Sequence, residues 1–517
     1  MIPPAAPETP HRPRQWWETR WFAGLMVLLA TVPLLYPPIP PLVDLPGHLG
    51  RYRVSIDLDQ SAALQRYFTF HWSLFGNLGV DLLVIPMSKI FGLELATKLI
   101  VLSIPPLTVA GFLWVGREVH HRVPPTALFA LPFVYGHPFL FGFVNFALAM
   151  ALAFLAFGLW LRMARLGATR LRLVLFVPIS LLLWIVHTYG WGLLGLLAFS
   201  AESVRQHDRG RGWFMAGVHG ALHASVMALP LFLTLYWQSG AQHSSLATDW
   251  FNFKLKWRWV KMALRDRWDW YDETSVAVTA VLFLVVLFHR KLTFSRNLVF
   301  SALVLIAFYL LLPRIIFGSA YADMRLVPFI FAVIILSMRF KAETHLPTAR
   351  ALVIAGLAFY AVRLAGTTLS LTLASLDQSA KLEALDRVEP GSRVLTLVGQ
   401  RCEDNWALPR NAHLGALAIV RRDGFSNDQW PMTDAKLLGV RDQARLGWFA
   451  YDPSEQVRPA RCANREHWPI DLSLQRFPRD EFDYVWLMDN PSYDHSLVTG
   501  MTQVWRGPAS VLYRVRP

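Results

Sequence analysis

The chain has 517 residues, 54% of them hydrophobic and only 17% charged. That balance excludes a single soluble domain, because long apolar runs fill about the first 370 residues and only the remainder has ordinary composition. The formal net charge of +14 sits mostly in short Lys/Arg clusters between apolar runs, which excludes a nucleic-acid stripe and marks membrane orientation and headgroup contact.

In chain order, residues 1–20 form a Pro-rich basic tail. No small-residue cleavage site follows the first apolar run, so that run is expected to stay as an anchor. Residues 21–374 are read as a transmembrane module of about eleven helices: 21–36, 96–115, 127–141, 143–161, 171–186, 191–201, 213–236, 276–288, 298–312, 326–338 and 351–371. With a cytoplasmic N-terminus, this count puts "GREVHHR", "RMARLGATRLR", "SVRQHDRGRG", "HRKLTFSR" and "RFKAETHLPTAR" on the cytoplasmic side, and all are rich in Lys or Arg. The apolar piece "GVDLLVIPMSKIFG" carries Asp81, Pro86 and Lys89 and is expected to lie flat on the other surface rather than cross.

Two loops then fall outside, 37–95 and 238–275. The second contains "DWFNFKLKWRWVKMALRDRWDWYDE", whose aromatics and cations suit amphipathic helices in the headgroup layer. Residues 375–517 read as a soluble, periplasmic α/β domain, with short β-rich runs after turn signals. The chain's two cysteines, Cys402 and Cys462, both fall there. A disulfide is expected in an exported domain, with two free thiols as the alternative.

Polar groups at membrane depth are costly and mark cavities or sites. Asp44 and His48 follow the first span in "VDLPGHLGRYR", with Arg51 and Arg53 behind them. His137, Asn145, His187, Tyr189, Arg314, Asp323 and Arg325 all fall at the same ends of other spans. Each alone has a structural explanation, as a cap, a satisfied imidazole or an Asp–Arg strap. Their convergence predicts a polar cavity at one membrane face. Asp57 and Asp59 point to nearly opposite sides of a helix and are read as a solvated face. No P-loop, dinucleotide glycine pattern, His-Glu-x-x-His or Cys-x-x-Cys occurs, so no metal ligands are assigned.

With Asp44 just after the first span, a flat helix ending in "KIFG" and the "GREV" turn, the chain resembles the integral-membrane glycosyltransferases of the GT-C class over about residues 15–375. The blocks "VDLPGHLGRYR", "FLFGFVNFALAMALAF" and "SAYADMRLVPF" look like those of bacterial membrane proteins associated with that class. The resemblance implies a bacterial inner-membrane enzyme of inverting type. It would transfer a hexosyl or pentosyl group from a polyprenyl-phosphate donor to a periplasmic glycan, lipid or protein acceptor. In that class the aspartate acts as general base or orients the acceptor. Many members carry a second acid beside it, where Leu45 stands here; His48 is the nearest substitute. No cofactor is required, and a divalent metal at Asp44 stays open.

The residues fit this chemistry on their own terms. Asp44 can take a hydroxyl proton, with His48 orienting it. Arg51, Arg53, Arg314 and Arg325 can fork onto a phosphate. A polysaccharide polymerase or ligase acting on lipid-linked glycans, a non-enzymatic receptor or assembly protein, and a transporter are the alternatives. A secondary transporter calls for midplane charges and a two-halved repeat, and the sequence shows neither.

Overall fold

A computed structural model describes residues 13–239, 247–316, 319–341, 345–402, 406–430, 437–464, 466–489 and 492–516. Most of the basic tail, at residues 1–12, lies outside the described residues. Among the described residues, five helices are long and apolar enough to cross a bilayer: Leu93–His120, Val144–Arg165, Thr169–Val186, Asp269–Phe288 and Leu346–Arg387. A sixth span results if Trp213–Met227 and Leu229–Tyr236, bent by 63°, count as one. Arg20–Leu35, Arg296–Leu311 and Met324–Ser337 are shorter apolar helices. Large apolar side chains such as Phe232, Phe288 and Leu311 stay exposed on these helices, as lipid-facing surface requires.

The difference from eleven full spans has local causes. The run expected to span 127–141 is instead a 3-10 stretch, Pro125–Tyr135, followed by the five-residue helix His137–Phe141. Pro132 and Pro138 lack donors for an α-helical ladder, and Gly142 turns the chain at φ +106°. The stretch is buried throughout, and irregular backbone at membrane depth is tolerated where protein covers it. The piece expected to lie flat is a 13-residue helix, Gly79–Phe91, ended by Gly92. In the 238–275 loop the helix Phe253–Lys261 exposes Trp257 and buries Lys256 and Trp259. Lys256 Nζ turns inward to Asp323 at 3.2 Å and to the carbonyls of Tyr309 and Leu312.

The basic turns gather at one end of the bundle. Arg165 pairs with Glu118 at 2.8 Å, Arg172 with Glu202 at 3.3 Å, and Arg296 with Asp208. Strand Leu292–Phe294 pairs antiparallel with Met338–Phe340, joining two more of these turns. Arg172 and Glu202 are both fully buried, so removing either partner alone costs about 3–5 kcal/mol.

The other end carries the C-terminal domain. The helix Leu346–Leu382 runs unbroken into it, so the expected boundary at residue 375 falls inside a helix. Its six-stranded sheet has the order Thr502–Gly507, Ser510–Arg514, Tyr484–Met488, Arg393–Gly399, Phe425–Ser426. Gln456–Val457 pairs parallel with the far end of Arg393–Gly399. The two central strands are parallel, and Tyr484–Met488 is buried along its length. Cys402 and Cys462 form a disulfide with their Cα atoms 5.3 Å apart.

The first loop belongs to this domain. Strand Phe68–Phe70 pairs antiparallel with Leu438–Val440, and Val54, Leu64, Tyr67 and Phe68 complete the hydrophobic core behind the sheet. Each such buried side chain contributes about 1.5–3 kcal/mol. A further strap ties the layers together. Arg363 pairs with Asp272 at 2.7 Å, and Trp406 Nε1 donates to the same carboxylate at 2.8 Å.

Candidate active site

The helix Leu45–Asp57 begins with a proline in its first turn, which presets helical φ. Asp44 occupies the N-cap but makes no capping bond, so its carboxylate is not spent on the helix amides. Spacings of four and three put Asp44, His48 and Arg51 on one face, and Gly47, Gly50 and Val54 on another.

The glycine face docks on the C-terminal domain. A Cβ on Gly47 would meet the Trp430 ring at 2.8 Å, and one on Gly50 would meet Gln429 Nε2 at 2.8 Å. Gln429 Nε2 donates to the Gly47 carbonyl at 3.2 Å. From the membrane side, Asp44 N donates to the Phe141 carbonyl at 2.9 Å. Gly142 comes so close that a Cβ there would lie 2.7 Å from Asp44 N.

The charged face lines a cavity of about 2100 Å3 between the helix ends and the C-terminal domain. Of the residues expected at the site, Asp44, His48, Arg51, Asn145, His187, Tyr189 and Arg325 reach its wall. Asp44 is 8% exposed, with its Oδ1 3.8 Å from His413 Nε2. The Trp430 ring stands between two imidazoles, 5.0 Å from His48 and 4.8 Å from His413. Burial, then the Arg51 guanidinium, holds the His48 imidazole well below its usual pKa, so it is neutral near pH 7.

Several of these wall residues already have structural partners. Arg51 is ion-paired with buried Asp81 at 2.8 Å. Asn145 accepts from Val80 N and donates to Asn77 O and Asp81. Tyr189 donates its hydroxyl to the Ala322 carbonyl, and His187 Nδ1 caps its own helix by accepting from Tyr189 N. Arg325 differs. It donates from Nη2 to Ser319 and the Ala320 carbonyl, and its Nε is buried with no hydrogen-bond partner among the described residues. Its guanidinium lies 4.0 Å above the Phe143 ring.

The other four expected residues do not reach the cavity. Arg53 sits two positions round the helix from Arg51 and pairs with Asp57 and Asp423. Arg314 pairs with Asp249 at 2.6 Å. Asp323 faces Lys256 and caps Met324 N. His137 packs between Phe141 and Trp259. These four, expected at the site, lie off the wall of this cavity against those partners.

The cavity also takes residues from the C-terminal domain to which the sequence alone assigns no role. Arg410 donates to the Pro41 carbonyl and pairs with Asp266, joining the domain to both loops. Arg458, His413 and Asp452 line the wall as well, with Arg265 from the 238–275 loop. No local pattern marks them, since "ALPRNAHLG" resembles any soluble segment. Among the described residues, His413, Asp452 and Glu455 form a group of three side chains of metal-ligating type, and Asp44 is not part of it.

No family model matches the chain, and none of the curated proteins does. Two solved structures are similar to it, both crystal structures of ArnT from Cupriavidus metallidurans, one bound to undecaprenyl phosphate and one in the apo state. They are 12% and 13% identical to it, each match covering 96% of this chain and 97% of the other, at a TM-score of 0.47.

Proposed function

We propose that the chain is a membrane glycosyltransferase that moves a sugar from a polyprenyl-phosphate donor to an acceptor hydroxyl in this cavity. The observation that carries the reading is that one cavity wall holds both Asp44, its carboxylate not engaged in the helix cap, and an Arg325 guanidinium whose Nε has no hydrogen-bond partner among the described residues. The acceptor hydroxyl gives its proton to Asp44 as its oxygen bonds to the anomeric carbon. The bond from that carbon to the phosphate oxygen breaks from the opposite side, which inverts the centre. The polyprenyl phosphate leaves with the electron pair, its charge met by Arg325. Neutral His48, four residues from Asp44, positions the acceptor. Arg51 is already neutralised by Asp81 and shapes the wall rather than clamping the phosphate. In this reading the cavity end is periplasmic, and the end holding the basic turns faces the cytoplasm of a bacterial inner membrane.

The test is direct. Protein purified in lipid nanodiscs is given a radiolabelled sugar on undecaprenyl phosphate with a panel of glycan and lipid acceptors. Release of undecaprenyl phosphate with label on the acceptor supports the reading. Intact donor after prolonged incubation with every acceptor overturns it.

A further inference from the structure

The loop between the helices Arg296–Leu311 and Val327–Ser337 holds a tyrosine that the proposed mechanism does not use. Tyr321 lies on the wall of the same cavity as Asp44, and its backbone is left-handed, at φ +63°. A bulky aromatic residue at positive φ is an outlier, kept only where its surroundings hold it there. Here they do. Ala322 N donates to the Arg314 carbonyl at 2.8 Å, and the Tyr189 hydroxyl donates to the Ala322 carbonyl at 2.7 Å. On the other flank, Arg325 Nη2 donates to Ser319 Oγ at 3.1 Å and to the Ala320 carbonyl at 3.2 Å. Both neighbours of Tyr321 are thus pinned, and the strained residue between them is built in place.

Packing explains the ring of Tyr321 and not its hydroxyl. The ring lies 5.5 Å from that of Phe141 and 5.8 Å, edge-on, from that of Trp259. Phe141 is the residue whose carbonyl receives Asp44 N, so the ring backs the backbone that carries the candidate base. A phenylalanine would fill that place equally well. The hydroxyl makes no hydrogen bond among the described residues. A polar group drawn out of bulk water without a partner costs stability, so its contact is expected from what fills the cavity. Burial, then the Glu466 carboxylate, raises its pKa, so it stays protonated near pH 7 and can donate. The charged groups acting most on it are Glu466, Arg314, Asp44 and Arg265. Arg325, which meets the phosphate in the proposed step, is not among them. The hydroxyl therefore looks to the side of Asp44 and the C-terminal domain, where the acceptor must sit.

We propose that the Tyr321 hydroxyl binds the acceptor, donating a hydrogen bond to a second hydroxyl of a sugar whose attacking hydroxyl meets Asp44. The acceptor is accordingly a carbohydrate. A serine or threonine side chain, or a simple alcohol, has only one hydroxyl to offer. A sugar carries several, each both donor and acceptor. The phenol and the Glu466 carboxylate, with the Arg265 guanidinium on the same cavity wall, present the matching mixture of donors and acceptors. With two of its oxygens held, the sugar keeps the attacking one aligned with the anomeric carbon. No bond is made or broken at Tyr321. The inference rests on the glycosyl-transfer reading above and narrows its acceptor.

The test measures initial rates of the full-length protein in nanodiscs, with radiolabelled sugar on undecaprenyl phosphate as donor. The acceptors are hexose- and hexosamine-headed glycolipids, their monodeoxy analogues, and a serine/threonine peptide. The wild type should use a glycolipid. It should lose about tenfold in kcat/KM on one analogue altered away from the attacking position, the scale of one hydrogen bond. Tyr321→Phe keeps the ring. It should raise KM for the intact acceptor about tenfold, leave the donor KM unchanged, and treat the intact acceptor and that analogue alike. A role in packing alone would not erase this discrimination. A Tyr321→Phe protein with the wild-type acceptor KM, or one whose loss falls on the donor, overturns the inference alone, as does a wild type that transfers only to the peptide. Should the variant fail to fold, the deoxy series on the wild type decides. Loss at one position besides the attacking one supports the contact, and loss at none overturns it. A wild type that transfers to no acceptor overturns the glycosyl-transfer reading and this inference with it.

Discussion

Gly142 holds φ +106°, and a methyl group on it would lie 2.7 Å from Asp44 N and 3.0 Å from Asp44 Cβ. An L-residue at a left-handed position costs about 1–2 kcal/mol, and relief of the contact would push the carboxylate out of register. Gly142→Ala should therefore stay inserted and folded in differential scanning fluorimetry, yet lose at least about tenfold in turnover, as misplacement of a catalytic group implies. Gly24→Ala, where nothing lies within 4 Å of the added atom, should match the wild type. At this scale the sequence is partly legible. The four- and three-residue steps from Asp44 to His48 and Arg51 put them on one face, and that face does line the cavity. What Arg51 meets is not legible, because Asp81 lies 30 residues away in a piece that reads only as a surface helix. Even the local pair of Arg53 with Asp57, four residues on, is not legible, since the sequence offers Arg53 to a phosphate and Asp57 to solvent with equal ease.

The helix Leu45–Asp57 has two working faces, and the glycine face holds the C-terminal domain over the cavity. A side chain at Gly50 would run into Gln429 Nε2 at 2.8 Å and into Ala416 and Ile419 at 3.2 Å. Gly50→Leu should thus part the domain from the bundle. Limited proteolysis should then cut near residues 423–430, buried in the wild type for much of their length, while far-UV circular dichroism keeps its helical signal. Resistance equal to the wild type would contradict this docking. The long apolar helices are readable from hydropathy alone. The 3-10 run Pro125–Tyr135 is not, because its composition is as apolar as a span and only Pro132 and the Gly136–Pro138 break argue against one. Nor is the pairing of Phe68–Phe70 with Leu438–Val440, a contact across 370 residues that no local period encodes.

On the scale of the whole molecule, charge and architecture divide the same way. The turns around Arg165, Arg172, Asp208 and Arg296 meet at one end, and the sheet domain covers the other. The helix Leu346–Arg387 is the last element long enough to join them. Reporter fusions after Lys341 and after Pro517 should accordingly report opposite sides of the membrane, the first cytoplasmic and the second periplasmic. The same side for both would contradict the crossing. The basic turns make this division legible from the amino-acid order alone, since Lys/Arg bias acts on each loop separately. The cavity's far wall is not legible in that way, because Arg410, His413 and Asp452 acquire their place only when the domain folds back on the bundle.

The central claim is that Asp44 takes the acceptor's proton in this cavity, and the single-turnover rate of Asp44→Asn with bound polyprenyl-phosphate sugar tests it most directly. Asn is as good an N-cap as Asp, and the carboxylate makes no capping bond, so the variant should fold and bind donor as the wild type does. Its chemical step should slow by about two to four orders of magnitude, the scale of a lost general base. An Asp44→Asn protein that binds donor normally and transfers sugar at the wild-type rate would contradict the account.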